Sequence, residues 1–197
     1  AGYAATARFL FDAPWDTAAF AAVGALLGMR ASIVAVTWTF AAAHQSPAPP
    51  LTAGERLRMI FAEYLAFLIT FVVVLPFERL WMPRDRLGPC PRPLVLVHGY
   101  GCSRGVWWWL RRGLEAAGHT VASVSLAPPY TSIGKLVPQL ARRVEEVRRA
   151  TGAGKVVLVA HSMGGLVCRS YLARYGSESV ERLVTLASPH GGSELAR

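Results

Sequence analysis

The sequence is poor in residues on which several functional classes depend. Its 197 residues include three cysteines, Cys90, Cys102 and Cys168. The odd number and the absence of metal-ligand spacing argue against a disulfide framework or a cysteine metal centre. Reduced, structural thiols fit a reducing compartment better. No aspartate follows Asp85, which limits the carboxylates open to chemistry in the second half. The chain has no initiating methionine and is expected to begin inside a longer one. The formal net charge is +9, but no basic stripe with interleaved aromatics accompanies it, and nucleic acid is not an expected partner. The arginines instead flank apolar runs or fall on the polar faces of expected helices, which suits a membrane-adjacent protein. Nothing indicates a cofactor or a metal.

Apolar residues are abundant, 53% of the chain, and they are unevenly placed. Residues 18–43 are almost wholly apolar or small, broken only by Arg30. That length suits one bilayer crossing and is too long and too internal for a signal peptide. Residues 44–54, with Pro47, Pro49 and Pro50, form a loop. A second apolar run covers 57–81 and places Trp81 where an interfacial aromatic sits. The expectation is a two-helix transmembrane anchor over 1–82. Buried helices of a soluble bundle are the competing reading, kept open by Arg30 and Glu63, since a central arginine costs about 2–3 kcal/mol in hydrocarbon. Those two can pair across the hairpin, snorkel or meet another subunit, with Glu63 nearer the loop. Arg8, Arg79, Arg84, Arg86 and Arg92 on the terminal side outnumber Arg56 and Arg58 near the loop. This bias puts both termini and the C-terminal domain on the cytoplasmic side of the inner membrane. The oligomeric state stays open.

A linker rich in proline and arginine follows over 83–93. Beyond it, strands are expected at 94–97, 121–126, 155–160 and 182–187, and helices at 105–117, 133–150 and 163–175. Pro138 is tolerable only if its helix starts late. Alternation at this spacing predicts an α/β fold over 94–197, a parallel sheet covered by helices on both faces.

The chemistry centres on Val159, Ala160, His161, Ser162, Met163, Gly164 and Gly165, where an apolar strand passes through one serine into a helix. A nucleophile in so sharp a turn brings two backbone segments together, which demands small residues such as Ala160 and Gly164 beside it. A serine attacking a carbonyl also needs donors for the oxyanion. The strand at 94–97 ends in His98, Gly99, Tyr100 and Gly101 at a carboxyl strand end. The amides of Tyr100 and Met163 can converge there, aided by a helix N-terminus.

These blocks, together with Ala187, Ser188, Pro189, His190, Gly191, Gly192 and Ser193, resemble those of bacterial lipases and esterases of the α/β-hydrolase superfamily. The likeness covers roughly 92–197. It implies Ser162 as nucleophile, the Tyr100 and Met163 amides as oxyanion hole, and a carboxylic, lipid or acyl ester as substrate. In that family the acid and the histidine follow later strands, so both are expected beyond Arg197, in a chain that looks truncated. His190 resembles a structural loop histidine, and His161, His98 and His119 are no better placed as base. Glu178, Glu181 and Glu194 are not at the expected acid position. Acyl transfer to an alcohol and thioester cleavage use the same machinery. A non-catalytic membrane interaction module on a hydrolase scaffold is the reading from another class. Of Trp107, Trp108 and Trp109, at most two can be core.

Overall fold

The computed structural model describes residues 14–43 and 49–192. Arg8, His44, Pro47, Ser193, Glu194 and Arg197, which entered the sequence reading, lie outside them. The chain divides into two compact units, 1–71 and 72–197.

In the first unit, helix α1 spans Trp15–Ala43 and helix α2 spans Ala53–Leu68; a π-helical turn over Ile69–Val74 continues α2 past the boundary at residue 71. The start of α2 is written locally: Thr52 accepts from the Glu55 amide while the Glu55 carboxylate accepts from the Thr52 amide, at 3.3 and 2.9 Å. Both helices are long and apolar enough to cross a membrane, with mean hydropathies of 1.9 and 2.0, and only 6% of either apolar window is buried. The two charges do not pair with each other. Glu63 accepts from the Trp38 indole at 2.6 Å, and the Arg30 guanidinium lies 4.8 Å from the ring centres of both Phe67 and Phe71. Each charge therefore has an aromatic partner on the facing helix.

The second unit is a sheet with helices. Its elements are a short helix α3 (Glu78–Trp81), β1 (Leu94–Val97), α4 (Trp108–Ala116), β2 (Val121–Val124), α5 (Ile133–Thr151), β3 (Val156–His161), α6 (Met163–Tyr175) and β4 (Val180–Leu186). All pairings are parallel, in the order β2-β1-β3-β4. Val95, Leu96 and Val97 are fully buried, which is why β1 reads as a continuous apolar run rather than an alternation. On one face Leu136, Leu140, Val144 and Val147 of α5 and Val167 and Tyr171 of α6 close the larger core. On the other, Met82 and Trp107 pack with Leu96 and Val121. Trp109 is 73% exposed.

Several boundaries differ from the sequence expectation for physical reasons. Pro76 ends the helical run at Val74, so Trp81 belongs to the separate α3. The helix expected from 105 opens as a 3₁₀ turn, Arg104–Trp107, capped by the Ser103 hydroxyl. β2 stops at Val124, because the next amides turn to side chains: Leu126 donates to His98 Nε2 at 2.9 Å and Ala127 to Gln139 Oε1 at 3.0 Å. α5 begins early, at Ile133, and holds Pro138 inside it as its sixth residue, in the second turn, where the Gly134 carbonyl loses its intrahelical amide partner.

Segment 83–93 lies within the second unit and carries a buried carboxylate. Asp85 accepts from the Ser123 amide at 2.8 Å and from Arg111 at 2.7 Å, and it also bonds Arg143. A peptide amide on the outer edge of β2 is thereby satisfied.

Candidate active site

Register brings two loops together. Val97 faces Ala160 across the β1–β3 pair, so the loop leaving β1 and the turn leaving β3 emerge side by side at the carboxyl end of the sheet. At that turn Ser162 has φ 52° and ψ −127°, a left-handed backbone that serine does not adopt without support. Support is visible on both sides. The Ser162 amide donates to Leu186 O at 2.9 Å, and Ser162 O accepts from the Gly165 amide at 3.0 Å.

The small residues around it are required by contact. A Cβ on Gly164 would stand 2.5 Å from Val97 O and 2.6 Å from His98 O; one on Gly99 would stand 2.9 Å from Ser162 Cβ. A Cβ on Gly165 would strike the Ser188 hydroxyl. Ala160 is wholly buried in the core beneath. Gly99 is thus in contact with the serine, and Tyr100 is the next residue in the chain. The Tyr100 amide has no acceptor among the described residues. Met163 is the first residue of α6, where the amide has no intrahelical acceptor. The side chains of Tyr100 and Tyr130 meet edge to face with centroids 6.5 Å apart, both exposed beside the turn.

Residues 92–197 match the family model of the alpha/beta hydrolase fold. The chain belongs to that family. Its relatives include triacylglycerol lipases of Pseudarthrobacter phenanthrenivorans and Burkholderia plantarii, each 35% identical over 112 residues and 53% of this chain, and covering 35% and 31% of those proteins. A human protein named 1-acylglycerol-3-phosphate O-acyltransferase ABHD5 is 33% identical over 110 residues, covering 52% of this chain and 31% of its own. Among solved structures, the mature Bacillus licheniformis lipase BlEst2 aligns with a TM-score of 0.51 and 31% identity, over 59% of this chain and 48% of that one. The chain spans about a third of the length of the curated relatives it matches.

In this alpha/beta hydrolase the histidines have separate duties. His98 is fully buried. Its Nε2 accepts from the Leu126 amide, so Nδ1 carries the proton and donates to Gly99 O at 2.9 Å. Burial pushes its pKa down and keeps the ring neutral. His98 therefore ties the loop after β1 to the end of β2, a role the sequence reading missed; the signal was a histidine between an apolar strand and a glycine. His190 accepts from the Arg169 guanidinium at Nδ1, 3.3 Å, which leaves Nε2–H to donate to the Thr185 hydroxyl at 3.0 Å. His161 is half-buried, its pKa lowered by desolvation, and its ring meets the edge of Trp107 at 6.4 Å. None of the three is hydrogen-bonded to the Ser162 hydroxyl, which has no partner among the described residues. No group of three metal-ligating side chains converges among those residues either.

Proposed function

We propose that the chain carries the nucleophile and oxyanion half of a serine hydrolase that cleaves carboxylic esters, chiefly lipid or acyl esters, at a membrane. The observation that carries this reading is the left-handed backbone of Ser162 at a strand-to-helix junction walled by Gly99 and Gly164. That strain sits in the Ser162 backbone, and among the described residues the other non-glycine residue with positive φ is Ala187, just past β4.

In the proposed mechanism Ser162 Oγ attacks the ester carbonyl carbon and its proton passes to a base. The carbonyl oxygen takes up the negative charge and accepts from the Tyr100 and Met163 amides, at the positive end of α6. Collapse breaks the bond to the alcohol, which leaves with the proton, and an acyl group stays on Ser162. Water then attacks that ester by the same route. Among the described residues no side chain hydrogen-bonds the Ser162 hydroxyl as that base. The lipid substrate is supported by the triacylglycerol lipases among the relatives. Membrane anchoring is supported by the length and apolar character of α1 and α2, and a cytoplasmic hydrolase unit at the inner membrane by the excess of arginines on the terminal side of the hairpin. Transfer of the acyl group to an alcohol instead of water is favoured as a second reading by the acyltransferase among the relatives.

A fluorophosphonate probe tests the nucleophile. Labelling of the full protein that disappears in Ser162→Ala is the expected outcome, and no labelling at all would favour the non-catalytic interaction module. Alkaline carbonate extraction tests the anchor: the protein should stay with the membrane pellet, and its release would refute an integral hairpin.

A further inference from the structure

The second unit has a cavity of about 500 Å³ remote in lining from Ser162, at the outer edge of β2. That volume is in the range of about 300–1,000 Å³ common to ligand sites. Its wall includes Arg84, Arg104, Arg142 and Arg143 against Asp85 and Glu146. The acidic groups are already committed. Asp85, almost wholly buried, serves Arg111 at 2.7 Å, Arg143, the Ser123 amide and, at 3.6 Å, Arg104. Glu78 takes the outer side of Arg104 at 3.1 Å, and Glu146 that of Arg143 at 3.0 Å.

Two guanidiniums are left over. Arg84, from the segment before β1, and Arg142, from α5, border the cavity with no hydrogen bond or ion pair from their side chains among the described residues. A carboxylate presents two oxygens in a single plane. A phosphate offers tetrahedral oxygens in separate pairs to two forks arriving from different elements. The paired arginines below hold the wall in place without competing for the ligand. We propose that this cavity binds a phosphate-bearing anion through Arg84 and Arg142.

The phosphate has two chemical sources, an anionic phospholipid headgroup or a soluble phosphate ester. Arg84 follows Val74, the last residue of the second apolar helix, by ten residues. Basic residues so close to a span suit an anionic lipid surface. The lipid source rests on the proposed membrane anchor, and the phosphate chemistry does not.

The test is titration calorimetry on the full chain in non-ionic detergent, in a Ser162→Ala background so that no ester turns over. The probes are dihexanoyl phosphatidylglycerol, glycerol 3-phosphate and dihexanoyl phosphatidylcholine. At least one of the two anionic probes should bind one to one, and the double variant Arg84→Gln, Arg142→Gln should weaken it by about tenfold or more. Arg86→Gln with Arg149→Gln removes the same charge away from the cavity and should change nothing. Tighter binding of phosphatidylglycerol than of glycerol 3-phosphate identifies a lipid headgroup, and the reverse identifies a soluble ester. Binding of neither anion, binding insensitive to the double variant, or phosphatidylcholine bound as well as phosphatidylglycerol would overturn the proposal. Arg84 and Arg142 are exposed and their side chains have no partner among the described residues, so both variants should keep the wild-type thermal midpoint. Because no bilayer is used, failure here is separable from release in alkaline carbonate.

Discussion

Replacing Gly164 by alanine adds one methyl group where two carbonyls already stand. The new Cβ would lie 2.5 Å from Val97 O and 2.6 Å from His98 O. Neither oxygen belongs to a side chain that can rotate away, so relief requires α6 to separate from the end of β1. Overpacking costs about 1–3 kcal/mol, and more where backbone must move. A glycine-to-alanine change inside a helix returns about 1 kcal/mol through propensity. With backbone on both sides the cost belongs at the top of its range, leaving a net loss of about 2 kcal/mol. For a protein of this length that lowers the melting temperature by about 4–8 °C. The assay is thermal unfolding of the full chain in detergent, followed by tryptophan fluorescence. Gly113→Ala is the internal comparison: Gly113 sits within α4 with nothing within 4 Å of its added Cβ, and this change should stabilise by about 0.5–1 kcal/mol. If Gly164→Ala melts at or above the wild-type temperature, the close approach of α6 to β1 is not what the glycine is for.

Other outcomes follow from single groups. Asp85→Ala leaves the buried Arg111 guanidinium with the more exposed Glu115 as its one carboxylate among the described residues and should cost about 3 kcal/mol in chemical denaturation, whereas Arg86→Ala should be close to neutral. Because burial lowers the His98 pKa in the folded state from its ordinary 6.5, the unfolded chain binds that proton more readily. The stability it contributes is complete above pH 6.5 and is lost as pH falls below it, a slope that His98→Gln should flatten in pH-dependent melting. Burial raises the thiols of Cys102 and Cys168, the latter up to about 12, so native protein should be carboxymethylated at Cys168 last, and equal rates at Cys102 and Cys168 would show that α6 opens readily.

The elements legible in the sequence are those specified by neighbours in the chain. The elbow needs a β-branched strand, a small residue, a serine and two glycines in succession, all within ten positions. The cap at Thr52 and Glu55 and the stop at Pro76 are likewise short-range. What escaped is long-range. Asp85 is the one acidic residue of the segment 83–93, and its partners are Arg111, Ser123 and Arg143, up to 58 positions away. His98 was read as part of a loop, and only its contact with Leu126 shows it as the tie between two strands.

Sequence alone determined that this chain has two long apolar helices, an α/β unit with strands alternating with helices, and a serine at a strained turn, because helix length, periodicity and turn chemistry are local. Only the tertiary structure decided the strand order β2-β1-β3-β4, the contact that makes Gly99 and Gly164 obligatory around Ser162, and the arginine network that leaves Arg84 and Arg142 free beside a cavity. Those depend on which residues meet across the sheet, and register and packing bring together groups that the chain separates by dozens of positions.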